Sequence, residues 1–106
     1  MPYQVYLTSR FQKELEKQDN TFKEWFNKAL DQLAESPQKG KPIGSDWFRE
    51  KKFGNYRVYY IIYENVNIVY VVALSTKKDQ QKVINSIKLL MDVYGEEIQK
   101  ICQPNN

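Results

Sequence analysis

The stretch from Trp47 to Ser75, WFREKKFGNYRVYYIIYENVNIVYVVALS, decides the fold. It divides into three runs rich in aromatic and β-branched residues, the composition typical of strands. The strands are expected at Trp47–Phe53, Tyr56–Glu64 and Asn67–Ser75. The connections Gly54-Asn55 and Asn65-Val66 are short enough for antiparallel hairpins. Because the last two runs are almost wholly apolar, helices are expected to cover at least one face of the sheet.

The residues before this block predict one strand and a short helix. Tyr3–Leu7 is short, aromatic and β-branched, which indicates a first strand. Thr8-Ser9 then offers an N-cap, with Ser9 and Gln12 spaced as in a capping box, for a helix over about Ser9–Lys17. The polar triplet Asp19-Asn20-Thr21 is expected to end this helix.

The second helix is the most strongly patterned element of the chain. Thr21 is expected to cap it, with Glu24 three residues later, and Ser36-Pro37 ends it because the residue before proline avoids helical geometry. Its apolar stripe, expected in the core, comprises Phe22, Trp25, Phe26, Ala29, Leu30 and Leu33. Gln38–Asp46 contains two glycines, two lysines and a proline, and is expected to be a loop.

A third helix is expected from Asp79. Its apolar stripe comprises Val83, Ile84, Ile87, Leu90, Met91 and Tyr94. Either Gly95 ends this helix or Ile98 and Ile101 carry the stripe past it. The tail Gln103–Asn106 is expected to fray.

The predicted order β-α-α-β-β-β-α is that of an α+β fold. An antiparallel sheet is expected to pack against the two N-terminal helices, with the third helix following the sheet. A length of 106 residues is that of one domain, so residues 1–106 are expected to form a single unit.

Composition excludes several kinds of chemistry. The chain has no histidine and one cysteine, Cys102, so an imidazole base, a cysteine-ligated zinc site and an intrachain disulfide are all excluded. No metal or cofactor is expected. The single cysteine favours a reducing, cytoplasmic location. The longest apolar runs, Val58–Tyr63 and Ile68–Leu74, are far shorter than the roughly 20 residues that span a bilayer. The net charge of +3 makes a phosphate-bearing partner plausible.

The basic residues cluster around the predicted hairpins. Alternate residues of a strand share a face, so Arg49 projects with Lys51, and Arg57 with Tyr59. If the strands pair as predicted, these groups and Lys77 can converge on one concave face, away from the second helix. The alternative is a solvated sheet face that merely carries lysines. The neighbouring Trp47 and Phe48 are expected in the core rather than stacked on a base.

The segment Arg49–Tyr60, which contains GNYRVYY, followed by an apolar strand and Ser75-Thr76-Lys77-Lys78, resembles the central signature of the RelE/ParE toxin superfamily. The resemblance implies a RelE-like fold and the toxin of a type II toxin–antitoxin system. It implies a cognate antitoxin as partner, an acidic protein encoded adjacently. One branch of the superfamily cleaves messenger RNA on the ribosome, and the ParE branch blocks DNA gyrase without a need to cut RNA.

Position by position, the resemblance implies a basic site that works without metal. The implied catalytic residues are Arg49, Lys51, Arg57 and Lys77, and the implied substrate-binding residues are Lys52, Tyr59 and Lys78. Lys51 would act as the base, with its pKa lowered by neighbouring cations, while Arg57 clamps the phosphate and Lys77 or Lys78 supplies the acid. Ribonuclease members often carry a tyrosine soon after the last basic residue, and the stretch 79–84 has none.

A ribosome-dependent mRNA endoribonuclease is therefore the expected function, with mRNA on the ribosome as its substrate. The alternatives are a ParE-like toxin that inhibits gyrase or another target by binding, and a non-catalytic family member. A homodimer or a toxin–antitoxin hetero-oligomer is expected to bury part of the third helix's stripe, which is longer than one face of a small sheet needs.

Overall fold

A computed structural model describes residues 2–103 and contains one five-stranded sheet with two helices on each face. The strands are β1 Gln4–Leu7, β2 Lys41–Ser45, β3 Phe48–Phe53, β4 Tyr56–Tyr63 and β5 Ile68–Thr76. The helices are α1 Ser9–Glu16, α2 Asn20–Glu35, α3 Gln80–Leu89 and α4 Met91–Cys102, with short 3₁₀ turns at Pro37–Lys39 and Glu64–Val66. The end of the expected frayed tail, residues 104–106, lies outside the described residues.

The strand order is β1-β5-β4-β3-β2. The α+β class, the two N-terminal helices and both predicted hairpins are confirmed. The sheet is mixed rather than purely antiparallel, because β1 pairs in parallel with β5. A parallel neighbour is possible here because α1, α2 and three further strands separate β1 from β5, which leaves ample chain for a crossover.

The expected loop at Gln38–Asp46 is wrong, since it contains the edge strand β2. The strand was not predicted because it contains Pro42 and Gly44, which are typical of loops. Proline is tolerated at a sheet edge, where its missing N–H is not needed. Gly44 has φ 77°, and the β2–β3 register shifts between Pro42 and Ser45, so the strand is irregular at this point.

Thr8, one of the two N-cap residues expected for α1, caps that helix, whereas Ser9 of the expected capping box is the first residue of the helix. The Thr8 side chain accepts a hydrogen bond from the Phe11 N–H and caps α1. Asp19, rather than the expected Thr21, caps α2, because its carboxylate accepts from the Phe22 N–H at 2.9 Å. The second helix therefore begins one residue before Thr21, at Asn20.

The expected third helix is two helices that meet at Leu90. Leu90 has φ −104° and ψ 7°, outside the helical region, and Gly95 lies within α4 rather than at its end. Ile84, Ile87, Tyr94 and Ile98 are buried against the sheet. The break at Leu90 lets both segments pack on the same chain, and Ile101 is the stripe residue that stays exposed, at 39%.

The sheet separates two cores. The core under α1 and α2 takes Val58, Tyr60 and Ile62 from β4, and the core under α3 and α4 takes Tyr59 and Ile61 from the same strand. This alternation gives every residue of β4 a known face.

Candidate functional site

The strand register decides which basic side chains meet. Lys52 is the cross-strand partner of Arg57, and Glu50 is the partner of Tyr59, so these four residues share the α3/α4 face of the sheet. Arg49 and Lys51 alternate with them and lie on the α2 face. The expected convergence of Arg49 and Lys51 with Arg57 is therefore wrong, because the hairpin register is offset by one residue from what it requires.

Arg49 and Lys51 both contact the α2 side of the molecule. Arg49 donates hydrogen bonds to the carbonyl oxygens of Gln38, Gly40 and Asp46, each at 2.7 Å, and so ties the edge strand to β3. The Lys51 Nζ donates to Gln32 Oε1 of α2 at 2.6 Å. The pKa of Lys51 is lowered, mainly by burial and secondly by the charge of Lys39. The direction is the expected one, but Arg57 is not its cause.

Arg57 lies on the expected face, away from α2, but it is only 7% exposed. Its Nη1 donates to the carbonyl oxygens of Gly54 and Tyr56, each at 3.0 Å. Its Nε lies 3.7 Å from Oε2 of Glu50, too far for a hydrogen bond but close for an ion pair. Both of these atoms are buried without a hydrogen-bond partner among the described residues.

Glu50 is the residue of this candidate site that sequence reasoning missed. It is 2% exposed, and its Oε1 accepts a hydrogen bond from Gln80 Nε2 at 2.8 Å, which links β3 to the first turn of α3. The sequence did contain a signal for its burial. Glu50 lies two residues after the aromatic Phe48, on the same face of a strand whose neighbour is apolar. A carboxylate on such a face needs a cationic partner.

Tyr59 has no exposed surface. Its hydroxyl is hydrogen-bonded to the Ser75 hydroxyl at 2.8 Å, and burial is the main cause of its raised pKa. A tyrosine enclosed in this way positions its neighbours and cannot stack on a base in this conformation.

The exposed cations of the implied site lie at one end of the sheet. Lys52, Lys77 and Lys78 are exposed, and we call these three residues the cationic rim. The Lys77 N–H donates to the Asn55 carbonyl at 2.8 Å, which holds the end of β5 beside the β3–β4 turn. The structure therefore brings together Lys52, Arg57 and Lys77 of the implied site and separates them from Arg49 and Lys51.

The sequence matches the family model described as ParE toxin of type II toxin–antitoxin system, parDE, over residues 5–81. This range begins at the second residue of β1 and ends at the second residue of α3, so it includes all of the sheet except Gln4. The chain belongs to this toxin family. No curated protein matches the sequence significantly.

Solved structures of RelE toxins share the fold. A free-state variant of E. coli toxin RelE is 23% identical with a TM-score of 0.71, covering 85% of this chain and 99% of its own. The toxin of the intact E. coli RelBE toxin–antitoxin complex is 26% identical with a TM-score of 0.62, covering 70% and 95%. The toxin of the archaeal RelE–RelB complex from Pyrococcus horikoshii is 21% identical with a TM-score of 0.62, and the match covers 72% of this chain and 96% of that toxin. The RelE-like fold that the sequence implied is confirmed.

No helix among residues 2–103 is long and apolar enough to cross a membrane.

Proposed function

We propose that this toxin arrests growth by binding its target, as the ParE branch it resembles does with DNA gyrase, and that it does not cut RNA. The observation that carries the proposal is the buried pair between Glu50 and Arg57. The arginine that a nuclease of this superfamily would use on phosphate already has an anion beside it.

Metal-free RNA cleavage needs a base, an electrostatic clamp and an acid around one phosphate. Arg49 and Lys51 face α2, so the implied base is on the wrong side of the sheet for the implied clamp. Separating Arg57 from Glu50 leaves an unpaired buried charge, which costs about 3–5 kcal/mol. A clamp on developing charge contributes roughly 3–4 kcal/mol. The two magnitudes are similar, so moving Arg57 from Glu50 to a phosphate gains little, and Arg57 is a poor catalyst.

The cationic rim is the surface through which we propose that the target is bound. Its three lysines project into solvent, and exposed charges of one sign steer association with an acidic partner surface. The rim and the buried pair thus have separate tasks, recognition at the surface and structure beneath it.

The test is a pair of assays on one preparation of purified toxin. We expect inhibition of ATP-dependent supercoiling of relaxed plasmid by DNA gyrase, and no cleavage in primer extension on ribosome-bound mRNA. Codon-positioned cleavage of ribosome-bound mRNA, with supercoiling unaffected, would overturn the proposal. Growth arrest without either effect would retain binding as the mode of action and exclude gyrase as the target.

The second candidate is the ribosome-dependent endoribonuclease, and one observation favours it. Glu50 and Arg57 together offer a carboxylate base beside a guanidinium clamp, with Lys52 on the same face as a further cation. On this hypothesis docking on the ribosome releases the Gln80 side chain and opens Glu50 to the 2′-hydroxyl. Glu50→Gln, which keeps the shape and loses the base, is then expected to abolish cleavage.

An antitoxin is the proposed partner of this chain, since the RelE toxins in the E. coli and P. horikoshii complexes are seen with theirs. We propose that toxin and antitoxin meet in the cytoplasm, where a gyrase or ribosome target resides. Co-expression with the adjacent open reading frame, followed by co-purification and relief of growth arrest, tests this assignment.

A further inference from the structure

An open apolar groove lies at the far end of β4 from Arg57. It consists of two adjoining cavities of about 550 Å³ and about 500 Å³ that share Tyr63, Asn65, Met91 and Gly95. From Arg57 to Tyr63 the strand advances six residues, roughly 20 Å at about 3.3 Å per residue. The groove is therefore separate from the candidate site and from the cationic rim.

The walls of the groove present apolar groups that the chain's own core does not cover. Trp47 is 48% exposed, against the expectation that it is a core residue, whereas Phe48 beside it is buried as expected. Val66, at the other end of the groove, is 38% exposed. Gly95 deepens the centre, because no atom lies within 4 Å of the position a Cβ would take.

Every charged residue that lines the groove is acidic, although the chain as a whole carries +3. The four carboxylates are those of Asp46, Glu64, Asp92 and Glu96. Asp46 lies 3.8 Å from Arg49, but its side chain is fully exposed and this pair is weak. An apolar floor with an acidic rim selects against anions and favours a cationic partner.

We propose that this groove docks an amphipathic, positively charged helical segment of a partner protein. The segment's apolar side chains fill the space above Gly95 and contact Trp47 and Met91. Its lysines or arginines face the carboxylates of Glu64, Asp92 and Glu96. An acidic antitoxin, as the resemblance implies, and a nucleic-acid backbone both carry the wrong charge for this surface, so the proposed occupant is a third partner.

The probe is a synthetic peptide of about 16 residues, some 24 Å as a helix, with leucines on one face and lysines on the other. Binding to the full-length toxin is followed by calorimetry and by mapping of backbone amide shifts. We expect binding that weakens with added salt, with shifts centred on α4 and on residues 61–66. The control peptide has glutamate in place of every lysine and is expected to bind at least about tenfold more weakly.

A Cβ at Gly95 would have no atom within 4 Å, so Gly95→Leu places its side chain in the groove, and leucine suits a helix better than glycine does. We expect it to reduce affinity for the lysine peptide at least about tenfold, with the unfolding midpoint unchanged or raised. Val93→Leu, at an exposed position of α4 that does not line the groove, also leaves the charge unchanged; it is the matched control and is expected to leave affinity unchanged.

Three outcomes would overturn the proposal. Equal binding of the glutamate peptide would show that the carboxylates of the groove do not select a cationic partner. Unchanged binding by Gly95→Leu would place the peptide elsewhere. Concentration-dependent dimerisation that Gly95→Leu abolishes would make a second copy of this chain the occupant.

Discussion

Oε2 of Glu50 lies 3.7 Å from Nε of Arg57, and both atoms are shut off from solvent without a hydrogen bond to the described residues. A buried ion pair that lacks this bond stabilises a fold weakly, since desolvation offsets most of the attraction. Because each charge neutralises the other, neither can bind a ligand unless another group neutralises the charge that is left. The pair therefore fixes the sheet end above which the cationic rim lies.

A double-mutant cycle on this pair is expected to be strongly non-additive. Arg57→Met or Glu50→Leu alone leaves an uncompensated buried charge and should lower the free energy of unfolding by about 3–5 kcal/mol. The double variant Glu50→Leu with Arg57→Met leaves none and should unfold close to wild type. Urea denaturation followed by circular dichroism measures all four proteins. Additive losses would show that the two charges do not interact.

The same double variant separates the two candidate modes of action. Removal of both charges should leave growth arrest intact if the toxin binds its target through the cationic rim, and should abolish arrest if Arg57 or Glu50 acts on RNA. Its restored stability keeps a loss of folding from being mistaken for a loss of activity. The measurement is colony formation after induction, with toxin levels matched by immunoblot.

Charge reversal of the cationic rim is the complementary experiment. The triple change Lys52→Glu, Lys77→Glu and Lys78→Glu is expected to weaken target inhibition at least about tenfold, because it replaces attraction by repulsion at exposed positions. The control reverses three exposed lysines elsewhere, Lys13, Lys28 and Lys100, for the same change in net charge. If both triple variants lose activity equally, net charge rather than the rim decides binding.

Much of the fold was predictable because its elements carry strong local patterns. Three local patterns each predict one kind of element: the apolar runs of β4 and β5, the apolar stripe of α2, and the two short hairpin turns. The edge strand β2 was missed because Pro42 and Gly44 are loop residues by propensity, and only pairing with β3 makes them a strand. The break at Leu90 has no proline or glycine to mark it.

The candidate site was less predictable because it depends on register, which alternation alone does not supply. Alternation correctly paired Arg57 with Tyr59 and Arg49 with Lys51. Whether the two sets share a face depends on the length of the β3–β4 turn, and one residue moves every side chain to the other face. The role of Glu50 requires a tertiary contact with Gln80, thirty positions away.

Gly40 is expected to be intolerant of any side chain. A Cβ there would clash with the Tyr60 hydroxyl and lie 2.8 Å from the Glu50 carbonyl oxygen, in a corner where Tyr60 donates to the Pro37 carbonyl. Gly40→Ala should therefore lower the free energy of unfolding by about 1–3 kcal/mol. Tyr60→Phe removes the hydroxyl and should recover part of that loss in the double variant. Urea midpoints of the three variants measure this, and a Gly40→Ala protein as stable as wild type would contradict the packing described here.

A tyrosine cluster beside α4 is expected to make the fold sensitive to alkali. Burial, and then the charge of Glu97, raise the pKa of Tyr63 to about 12 from an ordinary value of 10, while Tyr70 donates to Glu97 at 3.1 Å and its pKa is raised in the same direction. A folded-state pKa above the unfolded one means that the folded protein holds the proton more tightly. This contribution to stability is complete below pH 10 and is lost as the pH rises from about 10 through about 12.

Tyr63→Phe should remove that loss and flatten the dependence of the urea midpoint on pH in this window. Glu97→Gln removes the neighbouring negative charge, so it should lower the pKa of Tyr63 and move tyrosinate formation, followed by ultraviolet absorbance, to lower pH. Tyr3→Phe, which removes a tyrosine hydroxyl outside this cluster, is the matched control. An identical alkaline limb in the wild type and in Tyr63→Phe would show that Tyr63 titrates alike in the folded and unfolded chain.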